Sequence, residues 1–88
     1  MTGSKQKAKS FDEHLGQKIR ELRRQRGLSQ TELAGPLGVT HQQIQKYESG
    51  TNRLSVGQLW LLCEFLEAPI ASMFVGIDKK TFKRRRGL

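Results

Sequence analysis

The chain has 88 residues, of which 35% are hydrophobic, so it can bury the core of one domain but not of two. Its longest apolar run, Leu59–Cys63, is far shorter than the roughly 20 residues that span a bilayer, and its polar start lacks the apolar stretch of a signal peptide, so we expect no membrane association and a cytoplasmic location. The single cysteine excludes an internal disulfide bond and a cysteine-built metal site.

The net charge of +8 is concentrated at the two ends of the chain. Residues 1–10 carry three lysines and residues 79–88 carry six basic side chains, whereas residues 11–78 have a net charge of −1. Within this middle part, residues 18–26 hold five cations and one anion. Basic ends and one basic helix favour a polyanionic partner, usually a nucleic acid, although solubilising tails would have the same composition.

The first helix is predicted to begin at Ser10. Residues 1–9 have no apolar periodicity, and we expect them to form a flexible basic arm. Ser10 and Glu13 match a capping box, in which the Ser hydroxyl accepts an amide of the first turn and the Glu carboxylate accepts the amide of the Ser. Gly27 is a natural stop. Apolar residues between them recur at helical spacing, at Leu15, Ile19 and Leu22.

One local pattern occurs three times and predicts three further helix starts. An apolar residue precedes a Ser or Thr, a Glu or Gln follows three positions later, and another apolar residue comes directly after it. The two polar side chains form a capping box, and the two apolar side chains pack together as a hydrophobic staple. The three stretches are Leu28–Leu33, Val39–Ile44 and Leu54–Leu59.

The second and third helices are separated by a very short connection. The second must end near Leu37 and Gly38, and the third is already capped at Thr40, which is the spacing of a helix-turn-helix. Pro36 has no amide hydrogen and disfavours helical geometry in the residue before it, so we expect the second helix to end early or to tighten there.

The last predicted element is a short fifth helix after Pro69, which suits a first helical turn and is followed by Ile70, Met73 and Phe74. No segment alternates with a period of two, and no hairpin signal occurs. The predicted fold class is therefore all-α, with about five helices in residues 10–77, followed by a flexible basic tail at residues 78–88.

The stretch from Leu28 to Gly50 resembles the helix-turn-helix of the lambda-repressor/Cro type, the XRE family. The resemblance covers roughly residues 11–77 and is strongest to short bacterial single-domain regulators. It implies a five-helix lambda-repressor-like domain that binds double-stranded DNA through its third helix, usually as a homodimer on a two-fold-related operator. The matching landmarks are Ser29-Gln30-x-Glu32-Leu33-Ala34, Leu37-Gly38-Val39-Thr40, Ile44-x-x-Tyr47-Glu48-x-Gly50 and Arg53.

The third helix carries the candidate residues for base contact. Ile44 and Tyr47 share one face and should pack into the core, which leaves a polar face on the other side. A recognition helix contacts base edges mainly with its N-terminal residues, where Gln can pair with adenine and Lys with guanine. Without the resemblance, the same residues would be the ordinary polar face of a surface helix. The candidates are Thr40, His41, Gln42, Gln43 and Lys46.

The resemblance also implies contacts to the DNA backbone. Gln30 lies at the first turn of the second helix, where free amides favour an anion, and is expected to contact a phosphate and to brace a recognition-helix side chain. Asn52 and Arg53 follow the third helix and are expected to contact phosphates on the other side of the groove. Arg23 and Glu48 are expected to form a largely buried structural ion pair.

The fourth helix has more apolar surface than one core-facing stripe needs. Its core spacing accounts for Leu59, Leu62, Cys63 and Leu66. The surplus has two explanations: either the helix is enclosed by its neighbours, or it forms a dimer interface together with the fifth helix. The residues predicted for that interface are Trp60, Leu61, Phe65, Met73 and Phe74.

An enzyme is not expected, because His14 and His41 lie on different predicted helices and the sequence has no Gly-rich phosphate loop or paired-carboxylate motif. We likewise expect no metal, no cofactor and no small-molecule effector. The leading interpretation is a sequence-specific transcriptional regulator, a repressor, in the cytoplasm and associated with the nucleoid. An antitoxin that binds DNA and also a protein partner is the alternative, and RNA binding is a weaker third.

Overall fold

The computed structural model describes the backbone of residues 2–77 and the side chains of residues 10–77. This part of the chain contains helices and no strand, which confirms the all-α fold class. The predicted C-terminal tail, residues 78–88, lies outside the described residues. The elements are α1 (Thr2–Gln25), α2 (Gln30–Leu37), α3 (His41–Ser49), α4 (Val56–Leu66) and a 3₁₀ helix (Ile70–Phe74) at the position of the predicted short fifth helix.

The prediction that the first helix begins at Ser10 is wrong, because α1 begins at Thr2. A Ser followed three residues later by a Glu marks a helix start only when the preceding residues cannot continue the helix. Residues 5–9 are Lys, Gln and Ala, which are all good helix formers. The backbone of residues 2–9 is therefore a continuation of α1.

Side-chain caps set the starts of the next three helices, as the repeated pattern predicts. At Ser29 the box is reciprocal: Ser29 Oγ accepts the amide of Glu32 at 3.0 Å, and Ser29 N–H donates to Glu32 Oε1 at 2.8 Å. The Ser29 amide and hydroxyl together lower the pKa of the Glu32 carboxyl. A reciprocal box also forms at Ser55. At Thr40 the hydroxyl accepts the amide of Gln43 at 3.1 Å, which is one half of the predicted box.

The end of α2 is closed by two overlapping backbone hydrogen bonds. Gly38 N–H donates to the carbonyl of Gly35 at 3.0 Å, and Val39 N–H donates to that of Ala34 at 3.2 Å, which is the Schellman arrangement. It requires a left-handed residue, and Gly38 adopts φ 68° without the strain that a Cβ would introduce. The turn that follows is consequently short enough for Thr40 to cap α3.

Pro36 lies inside α2 and does not end it, so of the two expected effects, an early end or a tightened turn, the early end does not occur. Pro36 removes the amide hydrogen that would bond to the carbonyl of Glu32, and both residues are exposed, so water can reach that carbonyl. Only one helical residue, Leu37, follows Pro36. The last turn is tightened, because the amide of Gly38 donates to the carbonyl of Gly35, three residues earlier.

The core draws side chains from every helix of the described region. In α4 the predicted core positions are all buried, whereas Trp60, Leu61 and Phe65 are exposed. Burying a Leu, Ile or Met side chain stabilises a fold by about 1.5–3 kcal/mol, so this cluster fixes how the helices pack. The largest fully buried side chains are Ile19, Leu33, Ile44, Leu62, Leu66 and Met73. Among residues 2–77, no helix is long and apolar enough to cross a membrane.

The C-terminal end of α3 contacts α1 backbone to backbone. A Cβ on Gly16 would lie 2.6 Å from the carbonyl oxygen of Glu48 and closer still to that of Tyr47. On the other side of the crossing, a Cβ on Gly50 would lie 2.8 Å from Cα of Glu13. Two glycines therefore set the distance between α1 and the end of α3, and no local sequence pattern marks Gly16 for this role.

We expect Gly16→Ala to lower the free energy of unfolding by about 1–3 kcal/mol, because the new methyl group must push two backbone carbonyls away. This expected change is the net effect, after the roughly 1 kcal/mol that Ala usually gains over Gly inside a helix is included. Urea unfolding followed by circular dichroism measures it.

The matched control is Gly57→Ala in α4, where the nearest atom to the new Cβ is Ser55 Oγ at 4.0 Å. This variant should be as stable as the wild type or more stable. Equal effects of the two substitutions would contradict the close contact at Gly16.

Candidate nucleic-acid interface

The helix-turn-helix predicted from the sequence is present as α2, residues 38–40 and α3. One face of α3 is buried by Ile44, Tyr47 and Glu48. Of the candidate base-contact residues, Thr40, His41, Gln42 and Lys46 are exposed and Gln43 is half-buried. The structure therefore places Thr40 at the N-cap and the other candidates on the solvent side of α3, with Lys46 in its last turn and the opposite face of the helix in the core.

The polar side chains on this side of α3 are not engaged by the part of the chain whose side chains the structure describes. Within residues 10–77, the side chains of His41, Gln42, Gln43 and Lys46 form no hydrogen bond or ion pair. The hydroxyl of Thr40 is used for the helix cap. Two Gln amides, one imidazole and one ammonium group are thus available to an external partner, and Gln and Lys are side chains that can pair with base edges.

A buried ion pair joins α1 to the end of α3. Arg23 Nε donates to Glu48 Oε2 at 2.6 Å and Arg23 Nη2 donates to Glu48 Oε1 at 3.0 Å, with 11% and 4% of the two side chains exposed. Arg23 Nη1 also donates to the carbonyl of Leu28 at 2.8 Å. The hydrogen bonds to Glu48 raise the pKa of the Arg23 guanidinium. The structure thus brings together the two residues that the resemblance pairs.

Gln30 connects the start of α2 to the same carboxylate. Its side-chain Nε2 donates to Glu48 Oε1 at 3.1 Å. A Gln amide nitrogen carries two hydrogens, so one remains for another acceptor. The side chain is half-buried at the first residue of α2, where the unpaired amides of the helix also favour an anion. Gln30 is therefore braced against α3 and retains one unused donor hydrogen.

Asn52 and Arg53 lie in the loop between α3 and α4. The amide of Asn52 donates to the carbonyl of Lys46 at 3.2 Å, which ties this loop to the last turn of α3. Arg53 is exposed, and its Nε donates to both carboxylate oxygens of Asp12 on α1, at 3.3 and 3.2 Å. Local sequence contains no signal for this contact, because the two residues are 41 positions apart.

The predicted dimer interface is only partly exposed. Trp60, Leu61, Phe65 and Phe74 are exposed, with Trp60 at 53%. Met73 is wrong as an interface residue, because it is 1% exposed and belongs to the core. A 3₁₀ helix turns by a third of a circle at each residue, so Met73 points inward and its neighbour Phe74 points outward. The Phe74 ring also contacts the edge of the Phe11 ring, with centroids 5.8 Å apart.

In the described part of the chain, no group of three or more His, Cys, Asp or Glu side chains could hold a metal ion. Cys63 is buried in the core, and burial raises the pKa of its thiol. Cys63 therefore contributes to packing.

The fold and the exposed helix face define a helix-turn-helix protein of the DNA-binding type. The Helix-turn-helix family model matches residues 19–72, more than half of the chain. The chain belongs to this family, in its XRE branch.

Curated relatives agree with this membership. An uncharacterized HTH-type transcriptional regulator of Rickettsia prowazekii is 48% identical over 69 residues, which are 78% of this chain and 53% of that protein. Another from Rhizobium meliloti is 42% identical over 74 residues, which are 84% of this chain and 53% of that protein. The chain thus spans about half the length of the curated relatives it matches.

A solved structure shows the same arrangement of helices. Bacillus thuringiensis PlcR, crystallised in complex with the peptide PapR7 and DNA, superposes with a TM-score of 0.67 and 28% sequence identity. The match covers 80% of this chain and 25% of PlcR. The relatives are transcriptional regulators by name, which agrees with the expectation that this chain is not an enzyme.

Removing one partner of the buried ion pair should be costly. We expect Glu48→Ala to lower the free energy of unfolding by about 3–5 kcal/mol, because the Arg23 guanidinium then stays buried without its counterion. Urea unfolding at neutral pH measures the difference.

The matched control removes the carboxylate of the more exposed ion pair. Asp12→Ala should cost about 0–1 kcal/mol, since the Arg53 side chain that it leaves without a partner is 66% exposed and its charge stays in water. If Glu48→Ala were no more costly than Asp12→Ala, the buried cluster would not hold α3 in place.

Proposed function

We propose that this protein is a sequence-specific transcriptional regulator that binds double-stranded DNA as a homodimer and represses transcription. In this proposal α3 enters the major groove and contacts base edges. The observation that carries it is the solvent side of α3, where four polar side chains have no partner in residues 10–77 while the opposite face is fixed by the core. The naming of the relatives as transcriptional regulators, and of PlcR as a protein bound to DNA, supports the same function.

The contacts divide into two kinds. Gln42, Gln43 and Lys46, with Thr40 and His41 at the helix start, would contact base edges and determine the sequence. Gln30, Asn52 and Arg53 would contact phosphates on either side and determine how α3 lies in the groove, with no sequence information of their own. The basic residues 79–88 would add affinity for any DNA, because each phosphate that they neutralise releases counterions.

We propose repression because occupying a promoter is enough to block it, and this requires no contacts beyond those of the helix-turn-helix domain. The protein would act in the cytoplasm, where the bacterial nucleoid lies.

The homodimer is proposed on the exposed apolar side chains of α4 and the 3₁₀ helix. Trp60, Leu61, Phe65 and Phe74 are large and exposed, and apolar surface of this kind marks an interaction site in a soluble protein. Trp is also among the residues most enriched at the few positions that carry most of the binding energy in protein interfaces. A symmetric dimer would present its two α3 helices about 34 Å apart, to successive major grooves on one side of the DNA.

Selection of bound sites from a random duplex pool tests the DNA proposal. At about 0.15 M salt, a physiological ionic strength, we expect a two-fold-related motif with half-sites about ten base pairs apart. Gln42→Ala should lose the preference at one half-site position, a discrimination of about 1–3 kcal/mol.

Gln45→Ala is the matched control, because Gln45 is also an exposed Gln of α3 but lies outside the base-contact set. Its selected motif should equal that of the wild type. Salt-sensitive binding without any enriched motif would show that the fold serves nonspecific or protein-directed binding.

The interface proposal is tested by the oligomeric state. We expect a dimer in sedimentation velocity at micromolar concentration, and a monomer after combined Trp60→Ala and Phe65→Ala substitution, because both rings lose their buried contact area. Lys46→Ala, on the DNA-binding face, should remain dimeric. A monomeric wild type would contradict this interface, and the search would turn to a different protein as its partner, as in an antitoxin.

A further inference from the structure

Arg53 is held by a residue to which neither the sequence motif nor the proposed base and phosphate contacts assign a role. Its Nε donates to both carboxylate oxygens of Asp12, at 3.3 and 3.2 Å. The two ends of this pair differ in exposure: 66% of the Arg53 side chain is accessible to water, but only 16% of the Asp12 side chain. Asp12 is therefore the fixed end of the pair, and Arg53 is the end that reaches into solvent.

The surroundings of Asp12 explain why it is fixed. The next residue of α1, Glu13, contacts the α3–α4 loop so closely that a Cβ on Gly50 would lie 2.8 Å from its Cα. The loop that carries Arg53 is itself tied to the last turn of α3, because the backbone amides of Thr51 and Asn52 both donate to the carbonyl of Lys46. Asp12 thus belongs to a rigid junction between α1, α3 and the loop.

The geometry of the contact leaves most of the guanidinium available. An Arg side chain has five N–H donors in a rigid planar fork. Among the described residues, Arg53 donates hydrogen bonds through Nε alone, so the four N–H groups on its two terminal nitrogens have no partner. A phosphate can accept two parallel N–H bonds from such a fork. A phosphate could therefore bind Arg53 without displacing Asp12.

We propose that Asp12 is a positioning residue for DNA binding, which holds Arg53 with its terminal nitrogens directed outward toward a DNA phosphate. This inference rests on the proposed function, because it concerns the phosphate contact of Arg53. An Arg side chain that is already ordered loses less rotamer entropy when DNA binds, and this preorganisation increases affinity. The carboxylate of Asp12 also repels phosphates, so its removal has two opposite effects.

A double-mutant cycle separates these two effects. The affinity of the full chain for a fluorescently labelled duplex of random sequence is measured by anisotropy for the wild type, Asp12→Ala, Arg53→Ala and the double variant. Random-sequence DNA is sufficient, because phosphate contacts do not depend on sequence. When Arg53 is absent, Asp12→Ala should leave the affinity unchanged or raise it, since only repulsion is lost. When Arg53 is present, the effect of Asp12→Ala on the affinity should be less favourable than in the absence of Arg53. The difference should be about two- to tenfold in Kd, which is the cost of ordering one long side chain.

Two further variants test whether the effect of Asp12 arises from the positioning of Arg53. Asp12→Asn keeps an acceptor oxygen for Arg53 Nε and removes the negative charge, so it should bind DNA at least as tightly as the wild type. Glu13→Gln changes the charge by the same amount at an exposed neighbour that makes no ion pair among the described residues, and it should show no coupling with Arg53. Circular dichroism melting confirms that each variant is folded under the conditions of the assay.

Additive effects of Asp12→Ala and Arg53→Ala would overturn the inference. So would a rise in affinity on Asp12→Ala that occurs only when Arg53 is present, because Asp12 would then compete with phosphate. In both cases the wild type still binds DNA and the proposed function stands. If the wild type itself shows no salt-dependent binding to duplex DNA, the proposed function fails, and this inference fails with it.

Discussion

The buried carboxylate of Glu48 holds three parts of the chain in one place. It accepts hydrogen bonds from Arg23 on α1 and from Gln30 on α2, and Arg23 also donates to the carbonyl of Leu28 between these helices. A buried charge without its partners costs several kcal/mol, so the folded state requires all of these contacts at once. Since Glu48 belongs to α3, the direction in which α3 exposes its polar face depends on this cluster.

Two close backbone contacts at glycines also fix the C-terminal end of α3 against α1. Gly16 and Gly50 let the backbones of α1 and α3 approach where a side chain would keep them apart. The Asp12–Arg53 pair lies next to Glu13 on α1, so this helix contacts both α3 and the loop after it. The polar face of α3 and the loop after it are therefore held as one unit.

Local interactions made much of this structure predictable. The caps at Ser29, Thr40 and Ser55 involve residues three positions apart, and the core stripe of α4 follows from helical periodicity alone. The incorrect start at Ser10 shows the limit of a local pattern, because the same residues can lie inside a helix when helix formers precede them. Likewise, Pro36 does not end α2, because the helix continues only through Leu37 before it closes at Gly38.

The sequence by itself determined the starts of α2, α3 and α4, the helix-turn-helix and the set of polar residues on α3, because each depends on side chains within about one or two helical turns of one another. Only the tertiary structure placed Met73 in the core, Gly16 against the α3 carbonyls and Asp12 beside Arg53. These contacts join residues that are far apart in the chain or depend on how one short turn of helix is rotated. No periodic pattern encodes them, since they are set by how closely and at what angle the helices pack.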